Sequence, residues 1–192
     1  MHAFHPTCAA STSKQPCPGR LPAGGGQEGG RRAGTENVMM VAALGAAAKV
    51  VLREQAALTA HMEALRATLV DTLRANLGPA ADRLLENGPA DASRRLPNTA
   101  SVSVLGLDAA ALLSELGAGC APDRPGVAAP AGAACHSADA KPSGVLAAMG
   151  YSVERMRGTM RLSVGRHTTW EEVVQAAGIL ARGVRQQLGL AE

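Results

Sequence analysis

The stretch from Asn37 to Gly78 constrains the fold more than any other part of the sequence. Val41, Leu44, Ala48, Val51, Leu58, Met62, Leu65 and Leu69 recur at steps of three and four residues, or sums of these. That spacing lays them along one face of an α-helix. Gly78-Pro79 stops the pattern, because glycine and proline together end a helix. At 1.5 Å per residue the helix would be roughly 60 Å long, which suits an element joining two domains better than one inside a compact domain.

The residues after Gly78 read as a small α+β unit. Ala100, Val102 and Val104 alternate with Ser101 and Ser103, the pattern of a half-buried strand. Asp108 is placed to cap a short helix through Leu116, ended by Gly117. Gly126 to Ala129 carries a weaker strand signal, and Ser143 opens a helix ending at Gly150. Met160, Leu162 and Val164 alternate as a further strand. Thr169 and Glu172 have capping-box spacing, so the last helix is expected to begin there. The chain divides into an irregular tail (1–23), a glycine-rich entry (24–36), the long helix (37–78) and the α+β unit (79–192).

Composition narrows the classes of function. The chain has 192 residues, 46% of them hydrophobic but only 2% aromatic, so its core must be built from Ala, Val, Leu and Met. That length suits one ordinary domain. No apolar run is long enough to span a bilayer. The net charge of +3 is dispersed, and its longest basic runs are pairs such as Arg31-Arg32 and Arg94-Arg95. A nucleic-acid partner would call for a clustered basic face with stacking aromatics, so neither nucleic acid nor membrane is expected. Cys8, Cys17, Cys120 and Cys135 do not form a secreted disulfide framework, which points to a reducing compartment, by default the cytoplasm. The first acidic residue is Glu28. The tail before it fits either an acid-poor organelle transit peptide or an irregular start. His2, His5, Cys8 and Cys17 have no standard zinc spacing, and no metal is expected.

Three segments carry candidate chemistry. The first, GGGQEGGRRAGTENV, runs into the long helix and contains Thr35. A glycine-rich turn before a helix offers unpaired N–H groups to a phosphate, although this one matches neither nucleotide-binding fingerprint, and most such turns are only turns. The second, AGAACHS, holds Cys135 between small residues that leave its sulfur accessible. A thiol becomes reactive when its thiolate is favoured below the free value of about 8.5. A charged His136 would help, although adjacent residues of a strand point apart. The third, MRLSVGRHTT, holds Arg161 and Arg166. Taken alone, Arg161 is as readily a solvent-facing arginine or half of an ion pair. A fourth segment, RLPNTASVSV around Asn98, accompanies them.

In this order the segments resemble the cysteine desulfurase and selenocysteine lyase family of fold-type I enzymes that use pyridoxal phosphate. The resemblance runs from about Gly24 to the C-terminus, and the GAACHS form around Cys135 looks most like selenocysteine lyase. It implies an α+β small C-terminal domain with an antiparallel or mixed sheet, preceded by a long linking helix and the end of a large domain. It implies a homodimer or a separate large domain, cysteine or selenocysteine as substrate, and a possible sulfur or selenium acceptor protein. Cys135 falls on the catalytic cysteine, Arg161 on the arginine that holds the substrate carboxylate, and Thr35 on the threonine that reaches the cofactor phosphate of the partner subunit. A planar guanidinium suits its task because it pairs both carboxylate oxygens at once. Pyridoxal phosphate would act as the electron sink, with alanine and either a persulfide or selenide as products.

The sequence departs from that family at the cofactor anchor. None of Lys14, Lys49 and Lys141 follows a histidine as the family's cofactor lysine does, and Ala121 to Gly126 reads as a small insertion. The expectation is a chain that cannot hold pyridoxal phosphate in the usual way alone, whether as a truncated product, a fragment or half of a split enzyme. The competing reading is a non-catalytic interaction module derived from the same family.

Overall fold

The computed structural model describes residues 25–27, 29, 33–118, 126–131 and 143–190. Two compact units divide between Leu52 and Arg53. Helix α1 (Val38–Leu77) passes through this division. Its first turn is capped by Asn37, whose Oδ1 accepts from Met40 N at 3.1 Å. In the first unit the expected apolar face lies open: Val41, Leu44 and Val51 are exposed, as are Met39, Met40 and Leu52. Periodicity marks a face able to pack, but burial needs a surface opposite it.

In the second unit the same helix does bury its stripe, through Leu65, Leu69, Val70, Leu73 and Leu77. Gly78 turns the chain at φ +54° and Pro79 follows in a short 3-10 turn (Gly78–Arg83). That turn delivers a strand the sequence does not announce, β1 (Leu84–Glu86). Strand β2 (Thr99–Val104) pairs antiparallel with β1 and with β3 (Thr159–Ser163), so the order is β1-β2-β3. Ala100, Val102, Val104, Met160 and Leu162 join the α1 leucines in one core. Helix α5 (Trp170–Gln187) completes it with Val173, Ala177, Leu180 and Val184.

The helix boundaries follow local chemistry. Asp108 Oδ1 accepts from Ala111 N in α2 (Ala109–Ala118), and Ser143 caps the short α3 (Gly144–Ala148). Both halves of the Thr169/Glu172 capping box are made. A further short helix, α4 (Val153–Arg157), starts at Ser152. The expected strand at Gly126–Ala129 does not form. Only Ala131 bridges, to Met160, while Pro130 O accepts from Arg161 N at 3.0 Å. Pro130 has no N–H to give and the flanking residues are mostly small, so no ladder continues there.

The second face of the sheet is polar and is covered at Ser103 and Thr159. Asn87 Nδ2 donates to Ser103 Oγ at 2.9 Å and Ser103 Oγ lies 2.8 Å from Thr159 Oγ1. Thr159 Oγ1 donates to Arg155 O at 2.9 Å, and Arg155 Nε donates back to Asn87 Oδ1 at 2.9 Å. Asn87's other amide hydrogen goes to Ser101 Oγ. With Ser103 as the donor to Thr159 the ring closes with each group used, as buried polar groups require. The Arg155 guanidinium also donates to Glu86 O and stacks on Tyr151, 3.9 Å from its ring centre.

Helix α1 is also clamped to the turn that follows β3. Arg166 Nη2 pairs with Glu54 Oε2 at 2.6 Å, and Arg53 Nη2 donates to Glu54 Oε1 at 2.6 Å. His61 Nε2 meets Thr168 O at 3.4 Å and its ring meets Trp170 edge-on.

Four outcomes are expected. A Cβ at Gly158 would stand 2.0 Å from Val104 O, a backbone atom of the central strand. Gly158→Ala therefore lowers stability by about 2–4 kcal/mol in urea denaturation, since backbone must move. Gly178→Ala, in α5 with only ordinary contacts, raises stability by roughly 0.5–1 kcal/mol. Thr159→Val keeps the side-chain shape but breaks the ring, and costs about 1–3 kcal/mol by the same measurement. The hydrogen bond from Arg53 is the largest cause holding the Glu54 carboxyl below its usual value; partial burial opposes it and the Arg166 charge adds to it. The depressed value means this contribution to stability is present above the unfolded-state pKa and is lost as pH falls through the folded one. In a carboxyl-carbon NMR titration, Arg53→Ala raises the Glu54 midpoint more than Arg166→Ala does.

Candidate functional site

Arg161 sits in the middle of β3. Its neighbours Met160 and Leu162 are buried in the core, so the alternation of a strand turns Arg161 to the opposite face, where it is exposed. Its register partner is Ser101. The Arg161 guanidinium makes no hydrogen bond or ion pair with any described residue, in contrast to Arg166, Arg155 and Arg95. Its backbone N–H is committed to Pro130 O, and Ala131, bridged to Met160, is the last described residue before Cys135. Cys135, His136 and Ser137 lie outside the described residues, as do Lys141 and the inserted segment 121–125.

The two arginines of MRLSVGRHTT thus separate. Arg161 lies on an outward face with no side-chain partner among the described residues, whereas Arg166 belongs to the clamp on Glu54. The RLPNT segment meets RLSVGR directly. Thr99 pairs with Ser163, and Asn98 O accepts from Val164 N at 2.9 Å. Asn98 therefore works through its backbone, ending the ladder that holds Arg161 in register.

Thr35 belongs to the first compact unit and Arg161 to the second. Thr35 is exposed, follows Gly34 at φ +97° and precedes the Asn37 cap, so it stands just ahead of the helix start expected for it. Its hydroxyl has no hydrogen-bond partner among the described residues. Each within its own unit, Thr35 has a hydroxyl able to donate to a phosphate and Arg161 a guanidinium able to pair a carboxylate. The aldehyde end of pyridoxal phosphate has no comparable fit. Lys49 is the single lysine among the described residues, exposed on α1. No group of three His, Cys, Asp or Glu residues that could hold a metal occurs among the described residues, and no helix there is long and apolar enough to cross a membrane.

Sequence reading missed the Asn87 ring. The Ser101/Ser103 alternation suggested a wet face, but Ser103 and Thr159 are buried. The one available signal was Asn87-Gly88, a turn dipeptide directly after a short apolar run.

The class-V aminotransferase family profile matches residues 25–175. A cysteine desulfurase from Frankia sp. (strain EuIK1) is 42% identical over 169 residues, covering 88% of this chain and 38% of that protein. A selenocysteine lyase from Bos taurus is 40% identical over 153 residues, covering 78% of this chain and 32% of that protein. Among solved structures, a NifS-like protein superposes with a TM-score of 0.64 at 29% identity, over 88% of this chain and 38% of that one. The chain thus spans between about a third and two fifths of the relatives it matches. A profile match over most of the chain, relatives of this identity and a shared fold together establish that the chain belongs to the class-V aminotransferase family.

Proposed function

We propose that this chain is the small-domain portion of a lyase that uses pyridoxal phosphate to remove selenium or sulfur from selenocysteine or cysteine, leaving alanine. The observation that carries this reading is Arg161: a guanidinium in the middle of a strand with no partner among the described residues, beside the segment that leads to Cys135. Arg161 pairs both oxygens of the substrate carboxylate and so fixes the direction of its side chain. Thr35 donates its hydroxyl to the cofactor phosphate of a partner subunit. Cys135 receives the departing atom. With cysteine, the Cys135 thiolate forms an S–S bond to the substrate sulfur as the C–S bond breaks, and the carbon keeps that electron pair and takes a proton. The GAACHS sequence around Cys135 favours selenocysteine, while the 42% identity to a cysteine desulfurase supports the sulfur reading.

The described residues offer the cofactor's aldehyde no anchor. A large domain, carried on the same or another polypeptide, supplies the lysine.

The test is complementation. The chain is co-expressed with the N-terminal remainder of the Frankia cysteine desulfurase, and alanine release is measured from cysteine and from selenocysteine. The complex is expected to make alanine. Arg161→Ala raises KM by about 10–100-fold for both substrates, as losing a charged hydrogen-bonding pair implies. The ratio of the two kcat/KM values identifies the preferred element. The chain alone, incubated with pyridoxal phosphate and dialysed, keeps no visible band that borohydride fixes to a lysine. A complex that holds the cofactor yet makes alanine equally well without Arg161 overturns the assignment.

A further inference from the structure

The edge of the sheet opposite Arg161 carries a second cationic feature. A pocket of about 420 Å³ lies between α1 and the segment following β1, with Arg66 and Asp71 on the helix side and Glu86, Gly88 and Arg95 on the other. Its volume falls within the range of small-molecule sites. Both acidic residues already have partners. Glu86 pairs with Arg95 at 3.1 Å and with Arg74 at 3.8 Å, and Asp71 lies 3.9 Å from Arg74. Arg95 Nε is also committed, to Pro89 O.

Arg66 is different. Its Nε is buried and has no hydrogen-bond partner among the described residues, and none of them forms an ion pair with the side chain. A guanidinium stays charged at any ordinary pH, so this N–H cannot be relieved by losing its proton. A buried charged donor without an acceptor is a costly arrangement in a fold that elsewhere closes its polar ring completely. The charges nearby are already spoken for: Arg95 and Arg74 pair with Glu86, and Arg74 with Asp71, so among the described residues neither carboxylate of the lining is paired with Arg66.

We infer that this pocket binds a small molecule bearing a compact oxyanion, a carboxylate or a phosphate, whose oxygens accept from Arg66. Two acceptor oxygens on one centre match the Nε–H and terminal N–H of a guanidinium side by side, which neither water nor chloride does. The Arg95–Glu86 pair walls the site, and the Arg74–Glu86 pair ties the 86–95 segment to α1. This site is independent of the Arg161 chemistry. Glu86 belongs to β1 and Arg161 to β3, the two edges of the sheet.

The experiment follows the arginine Nε–H resonances of the full-length chain by NMR. Inorganic phosphate, acetate and sodium chloride are titrated separately at matched ionic strength. Phosphate, acetate or both are expected to shift the Arg66 Nε–H saturably and slow its exchange with water, while chloride leaves it unmoved. The oxyanion with the tighter midpoint identifies which head group the site takes. Arg66→Gln weakens binding by about tenfold or more, the loss of a charge-assisted pair. Ala90→Glu places a carboxylate in an exposed lining position without touching Arg66. It is expected to weaken oxyanion binding while urea denaturation shows an unchanged fold. No saturable shift with either oxyanion, an equal shift with chloride, or undiminished binding in Ala90→Glu overturns the inference.

Discussion

Strand β2 is buried on one face along its length and on the other at Ser103, and each face makes a different demand. Ala100, Val102 and Val104 face a dry core closed by α1 and α5, where apolar contact alone is enough. Ser103, pointing the other way, is just as buried, and there every donor and acceptor needs a partner. The ring through Asn87, Thr159 and Arg155 meets that demand. It joins the turn after β1 to the adjoining α4 and start of β3, which lie far from that turn in sequence. Gly158 lets α4 come close enough for Val104 N to donate to its carbonyl. The position of β3, and so of Arg161, rests on this closed polar face as well as on the leucine core.

The sequence showed what local chemistry dictates. The caps at Asp108, Ser143 and Thr169 are each made by the residue expected, because capping is decided within one turn of chain. Alternation placed β2 and β3 and turned Arg161 outward. Features settled at long range were not legible. Nothing near Arg166 announces Glu54 as its partner, and nothing near Asn87 announces Arg155. The weak strand signal at Gly126–Ala129 gave way to a single bridge at Ala131, since small residues beside a proline favour no ladder. Cys135 was found by its surrounding motif and lies outside the described residues.

Helix α1 has two different surfaces along one continuous length. From Leu65 onward its apolar stripe is core. Before Arg53 a stripe of similar chemistry, including Met40, Val41 and Leu44, is open. An apolar face of this kind is unusual on a protein that works alone and marks a surface for association. The relatives with which this chain shares its sequence are more than twice its length, as the 38% coverage of the Frankia protein shows.

Pro130 has a consequence for how the sheet ends. It accepts from Arg161 N but has no hydrogen to return, so the strand beside β3 is only half made. An open sheet edge invites another chain to add itself as a further strand, with fibrous growth as the extreme outcome. Here Pro130 already occupies that place beside Arg161 and uses the edge's donor there. The carbonyl that fixes the backbone beneath Arg161 thus also takes up the donor that an added strand would need at that point of the edge.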